Sequence, residues 1–189
     1  MTAGQPFQFV DALSGSANTY YIGGNNGVLM QGTTGGTVAT TGVYYVDVDF
    51  TSGSTIMTQI NSVNLFYCDT KALIPIPYAG QGVWKITNAP LTLKQESWGW
   101  EDRYKFEYMT TKSDGTPSTE WWGSVNSDNN APTTGSTAPS FWYLVPVTSD
   151  QWNNAFKFDH AFFATPPNIT INATVTMNAS GPYTHTISQ

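Results

Sequence analysis

Trp98, Trp100, Glu101, Asp102 and Arg103 stand almost side by side, and Trp121 and Trp122 follow within the same stretch, Ser97–Trp122. That stretch holds four of the seven tryptophans and the only arginine of the chain. If it is extended, Trp98 and Trp100 project from one face, roughly 7 Å apart by strand rise. Trp121 and Trp122 are adjacent, so in a strand they point to opposite faces, one into the core and the other toward water or a ligand. Exposed indoles beside carboxylates, amides and a guanidinium are suited to gripping a sugar. The ring packs on the apolar C–H face of a pyranose, and the polar groups take its hydroxyls. Trp152, next to Asn153 and Asn154, is a further candidate for the same role or for capping a sheet end.

Other chemistries are weaker in this pattern. A glycosidase needs two carboxylates about 5 to 10 Å apart, which Glu101 or Asp102 with Glu120 would have to supply. The nearby Arg103, Lys105 and Lys112 point instead to surface ion pairing. No HExxH, GxSxG or phosphate-loop motif occurs, so the chain reads as a non-enzyme. Cys68 is the only cysteine, which leaves no intrachain disulfide and no cysteine-built zinc site. Within the apolar run Val63–Cys68 it reads as a small buried residue in a core strand rather than a nucleophile. Asn126, Asp128, Asn129 and Asn130 are dense enough in oxygen for a weak calcium site, but turn chemistry accounts for them. No metal or cofactor is expected.

Composition narrows the class. Charged residues make up 11% of the chain and aromatics 14%, with a net charge of −6. The basic residues are scattered, so the clustered basic face that nucleic-acid binding needs is absent. No apolar run approaches the roughly 18 residues of a membrane-spanning helix. Met1–Pro6 shows neither a charged n-region nor an apolar h-region. The Thr-, Ser-, Asn- and aromatic-rich composition favours an exported protein whose export signal is not part of this sequence.

The elements that position these residues are strands. Val43–Phe50 alternates apolar and acidic residues from Val46 on, and Thr51–Ser54 turns it into 55–60, a predicted hairpin. Residues 61–68 form the next strand. Ile74–Pro77 is an edge or connecting segment, because its prolines remove ladder donors. Tyr104–Tyr108 alternates aromatic and charged residues as a half-buried strand does, and Asp114-Gly115 supplies a turn that can bring the two Trp pairs near each other. Trp84 and Trp142 lie among apolar neighbours and are assigned to the core. Residues 123–140 form a long loop, and 149–154 allow one short helical turn capped by Ser149. The 168–177 alternation can pair with 183–187 or serve as a donated strand in an adhesion or structural module. About twelve strand candidates and no ordinary helix make the class all-β, an immunoglobulin-like or carbohydrate-binding-module-like sandwich. Residues 1–60 have too little core to stand alone and are expected to pack on a 61–189 sandwich.

Gly42–Phe50, followed by Thr58–Leu65, resembles a strand-and-linker pattern of the SusE- and SusF-like outer-membrane lipoproteins of Bacteroidetes. Gly82-Val83-Trp84, Arg103–Phe106, Trp121-Trp122-Gly123 and Trp152–Phe158 are similar to their carbohydrate-binding modules. The resemblance covers roughly residues 40 to 160. It implies β-sandwich domains at the bacterial cell surface that bind polysaccharides or oligosaccharides without cleaving them. The implied partners are a TonB-dependent transporter and a SusD-like lipoprotein. Cys68 lies inside a strand and does not fit as a lipid anchor.

Overall fold

The computed structural model describes residues 1–7, 9–11, 18–23, 28–31, 36–126, 143–158, 167–178 and 182–188. Among these the chain is all-β, and no helix occurs. The strands are β1 (Phe9–Asp11), β2 (Asn18–Gly23), β3 (Val28–Gln31), β4 (Val43–Asp49), β5 (Ser54–Tyr67) and β6 (Ala72–Pro75). They continue with β7 (Tyr78–Gly80), β8 (Val83–Thr92), β9 (Gln95–Glu96), β10 (Gly99–Trp100), β11 (Arg103–Lys112) and β12 (Pro117–Gly123). The last four are β13 (Tyr143–Val147), β14 (Phe156–Lys157), β15 (Asn168–Thr176) and β16 (Tyr183–Ser188). Two compact units result, Met1–Asn61 with Thr110–Ser118, and Ser62–Met109 with Thr119–Gln189.

In the first unit, β1, β2 and β3 form an antiparallel meander. The predicted hairpin forms between β4 and β5, with Val43 opposite Ile60 and Asp49 opposite Ser54. Asp49 closes its turn by accepting the Thr51 and Ser52 N–H groups on Oδ1, an Asx-type turn. The Asp114-Gly115 turn also lies in this unit. Asp114 accepts the Thr116 N–H at 2.8 Å, and Gly115 takes the positive φ of +85° that a side chain resists.

In the second unit the sheet folds over itself. The part of β5 after Asn61 is followed in order by β11, β12, β13, β16, β15, β8 and β7. The corner is β13: Val145–Val147 pair with β12, whereas Tyr143 and Leu144 pair with β16. A strand that gives its two ends to different partners turns one sheet into two layers. Contact across the layers shows the closure. β11 and β16 are three strands apart, about 14 Å in a flat sheet, yet the Tyr104 hydroxyl lies 3.0 Å from His185 Nε2. Tyr104, Phe156, Phe158 and His185 stack in this interior. The second layer supplies cross-strand rows, Trp84–Val175–His185 and Ile86–Ala173–Ile187. This unit is a strongly curled, sandwich-like antiparallel sheet.

Several expectations change. Residues 55–60 and 61–68 are not two strands but parts of one, β5, which ends at Tyr67, so Cys68 sits just beyond it. Tyr104–Tyr108 is not half-buried, because all five side chains are covered. The face predicted to be wet carries Lys105 and Glu107, and each is buried with a hydrogen-bond partner. Lys105 Nζ donates to the Asp150 carbonyl, and Glu107 accepts from Asn64 Nδ2. No helical turn forms at 149–154. Asp150, rather than Ser149, closes that segment by accepting the Trp152 and Asn153 N–H groups. β15 is paired with β8 on one edge and β16 on the other, so it is not available as a donated strand. Trp84 is buried as expected, and β6, ending at Pro75, pairs with β5 alone among the described residues, as an edge. Trp142 and most of 123–140 fall outside the described residues.

Candidate functional site

The site begins with a two-residue hairpin. β9 and β10 pair with Glu96 opposite Gly99 and Trp100 opposite Gln95, which leaves Ser97 and Trp98 as the turn. Trp98 is therefore at a hairpin tip, not on a shared strand face with Trp100. Gly99 adopts φ +134°, a region open to glycine and resisted by other residues. The Glu101 N–H donates to the Lys94 carbonyl at 2.9 Å and extends the ladder toward the base. Tyr67, at the end of β5, fastens that base. Its hydroxyl accepts the Lys94 N–H at 3.0 Å and donates to the Glu101 carbonyl at 2.8 Å. Lys94 adds ion pairs to Glu96 and Asp69 at 2.6 and 3.2 Å. With the base held, Trp98 at the tip is 70% exposed, the most exposed of the large hydrophobics among the described residues.

A groove of about 490 Å³ runs beside the hairpin, lined by Trp98, Gly99, Trp100, Glu101, Asp102, Arg103 and Lys157. Trp100 is half-buried. Glu101 and Asp102 are buried, which corrects the expected surface ion pairs. Arg103 Nε and Nη2 meet the two Glu101 carboxylate oxygens at 2.6 and 2.5 Å, and the Arg103 N–H adds a third bond at 3.1 Å. Burial pushes the Glu101 carboxyl up, but the hydrogen bonds and charge of Arg103 outweigh it. The net position is below the ordinary carboxylate value. The guanidinium lies 4.1 Å from the centre of the Trp152 ring, a cation–π contact that holds its plane. Lys157 Nζ stands 4.0 Å from Asp102 Oδ1.

Trp121 and Trp122 are positioned elsewhere. They line a second, more open groove of about 650 Å³ with Thr119, Glu120, Pro146, Val147, Thr148 and Ser149. The two grooves share no lining residue. Both indoles are half-buried, so the expected division into one core and one exposed ring is not found. Trp121 meets Phe66 edge-on with ring centres 4.8 Å apart. Trp122 stacks on Tyr108 and Tyr183 at 5.5 and 4.6 Å. Trp152 packs with Trp121 against Phe66, Cys68 and Ala155, and so supports Arg103 from the protein side.

Glu101 and Asp102 line one groove and Glu120 the other, so the carboxylates considered as a catalytic pair sit in separate places. Of the oxygen-rich group proposed for calcium, only Asn126 is among the described residues. Two residues of the Trp98 site were missed in sequence. Lys157 carries a signal only in the Phe156-Lys157-Phe158 alternation, which marks a strand and not a groove. Tyr67 lies in an apolar run with no local sign of its role at the hairpin base. Compared with known protein families, characterised proteins and solved structures, the chain matches none.

Proposed function

We propose that this chain binds a polysaccharide or oligosaccharide without cleaving it, in the groove beside the Trp98 hairpin. The observation that carries the reading is Trp98 itself, 70% exposed on a turn whose base is fastened from three sides. A single exposed apolar residue is ordinary on a protein surface. An indole on a fixed mount, above a row of polar side chains, is a preformed stacking platform that loses little freedom on binding. Trp100 gives the groove a second ring, and Arg103 and Lys157, whose side chains are partly exposed, offer hydrogen bonds to hydroxyls. Engagement of the Glu101 carboxylate with Arg103 favours binding over hydrolysis, since a general acid or base needs a free oxygen at the substrate. On the resemblance seen in the sequence, we extend the proposal to a module at a bacterial outer-membrane surface, with a TonB-dependent transporter and a SusD-like lipoprotein as its partners.

A shallow site of this kind binds in the micromolar range or weaker, about −8 kcal/mol or less in magnitude. Truncating an aromatic anchor costs about 2 kcal/mol or more. Trp98→Ala is therefore expected to abolish retention on polysaccharide affinity gels while leaving the thermal midpoint unchanged. Full retention by a folded Trp98→Ala protein would remove the groove from consideration and turn attention to Trp121 and Trp122.

A further inference from the structure

The charged side chains that line the Trp98 groove are Glu101, Asp102, Arg103 and Lys157, two acids and two bases. Arg103 and Glu101 are joined fork to fork at contact distance, with the carboxylate 1% exposed and the guanidinium side chain 18% exposed. A guanidinium carries five N–H donors. Glu101 takes Nε and one Nη2 hydrogen, and the Trp152 ring covers one face of the plane. The remaining donors keep their direction, but the charge behind them is cancelled by a carboxylate in contact.

We propose that Glu101 is a positioning and specificity-determining residue, which clamps and neutralises Arg103 so that the groove takes uncharged sugar hydroxyls and rejects carboxylate-bearing sugars. This rests on the glycan-binding reading above. An unpaired guanidinium would seek a carboxylate or phosphate bidentately. With Glu101 already in that place, a uronate finds the fork occupied and no uncompensated cation to replace the water it gives up. Lys157 stands opposite Asp102 and so adds no uncompensated positive charge.

Affinity electrophoresis on matched polymers tests this. Galactan, mannan and β-glucan would be used beside the same three polymers after oxidation of their primary hydroxyls to carboxylates. The wild type is expected to be retained by at least one neutral polymer, equally at about 20 mM and about 500 mM salt. Its retention by the oxidised partner should be weaker, because a carboxylate gives up water in the groove and finds no uncompensated cation there. Glu101→Gln leaves the Arg103 charge uncompensated. It should be retained about fivefold better by the oxidised polymer at low salt, the factor one unscreened charge gives at contact distance in water, and lose that gain at high salt. Asp114→Asn, an equal charge change in the other unit, should show no gain. Equal wild-type retention on oxidised and neutral polymers would overturn the inference and leave the glycan reading standing, as would a folded Glu101→Gln that matches wild type on both. Retention on none of the six polymers would overturn both. If Glu101→Gln does not fold, the wild-type comparison across oxidation and salt decides alone.

Discussion

Glu101 and Cys68 show how burial acts on single groups. The Cys68 thiol is fully covered, and burial pushes its pKa up to about 12. A thiolate is the reactive form, so native Cys68 is expected to resist thiol reagents and to label rapidly once denaturant is added. Fast labelling of the folded protein would show that Cys68 is not enclosed. For Glu101 the Arg103 fork outweighs burial and holds the folded pKa below the ordinary 4.5. A depressed carboxylate stabilises the fold above its unfolded pKa, and that contribution disappears as pH falls through the folded one. The thermal midpoint should therefore drop on acidification below about pH 4.5, and a folded Glu101→Gln protein should show a shallower drop. Equal slopes for the two proteins would contradict the ion pair. Five groove residues, Trp98 and Trp100–Arg103, were legible together in sequence because they are near neighbours in the chain. Lys157 and Tyr67 were not, since only tertiary pairing brings them to the hairpin: Lys157 sits opposite Arg103 in the β11–β14 ladder, and Tyr67 reaches Lys94 and Glu101 through its hydroxyl.

Among the elements, the segment from Asp150 to Ala155 explains why β11 departs from its alternation. Its Asp150 carbonyl takes Lys105, and its Trp152 and Ala155 pack on Phe66 and Cys68. It thereby closes the face that periodicity alone assigns to water. No pattern in Tyr104–Tyr108 announces that cover, because the covering residues come some fifty positions later. The turns were legible, since Asp49 and Asp114 use local hydrogen bonds that their own neighbours supply. Gly123 marks where the covering segment meets β12. A Cβ there would stand 2.3 Å from the Asn154 carbonyl oxygen, closer than packed atoms tolerate. Gly123→Ala must push the segment away, at a cost of about 1–3 kcal/mol. In a chain of this size each kcal/mol lowers the thermal midpoint by about 2–4 °C. A Gly123→Ala protein as stable as wild type would show that the segment does not press on β12.

At the scale of the whole molecule, turn spacing and β-rich composition made the all-β class readable, and the β15–β16 return was readable from alternation. The switch of β13 from one layer to the other was not, because its five residues carry no sign of two different partners. Far-UV circular dichroism should show β-structure with negligible helix, and a helix content above about a quarter of the chain would contradict the sandwich. The binding role rests on one groove, and the seven indole N–H groups of the chain report on it directly. Isotope-labelled protein would be titrated by nuclear magnetic resonance with oligosaccharides of galactan, mannan and β-glucan. With one of these ligands the Trp98 and Trp100 indole signals are expected to shift in step, while that of buried Trp84 stays fixed. No indole shift with any of them, or shifts confined to Trp121 and Trp122, would contradict glycan binding at the Trp98 hairpin.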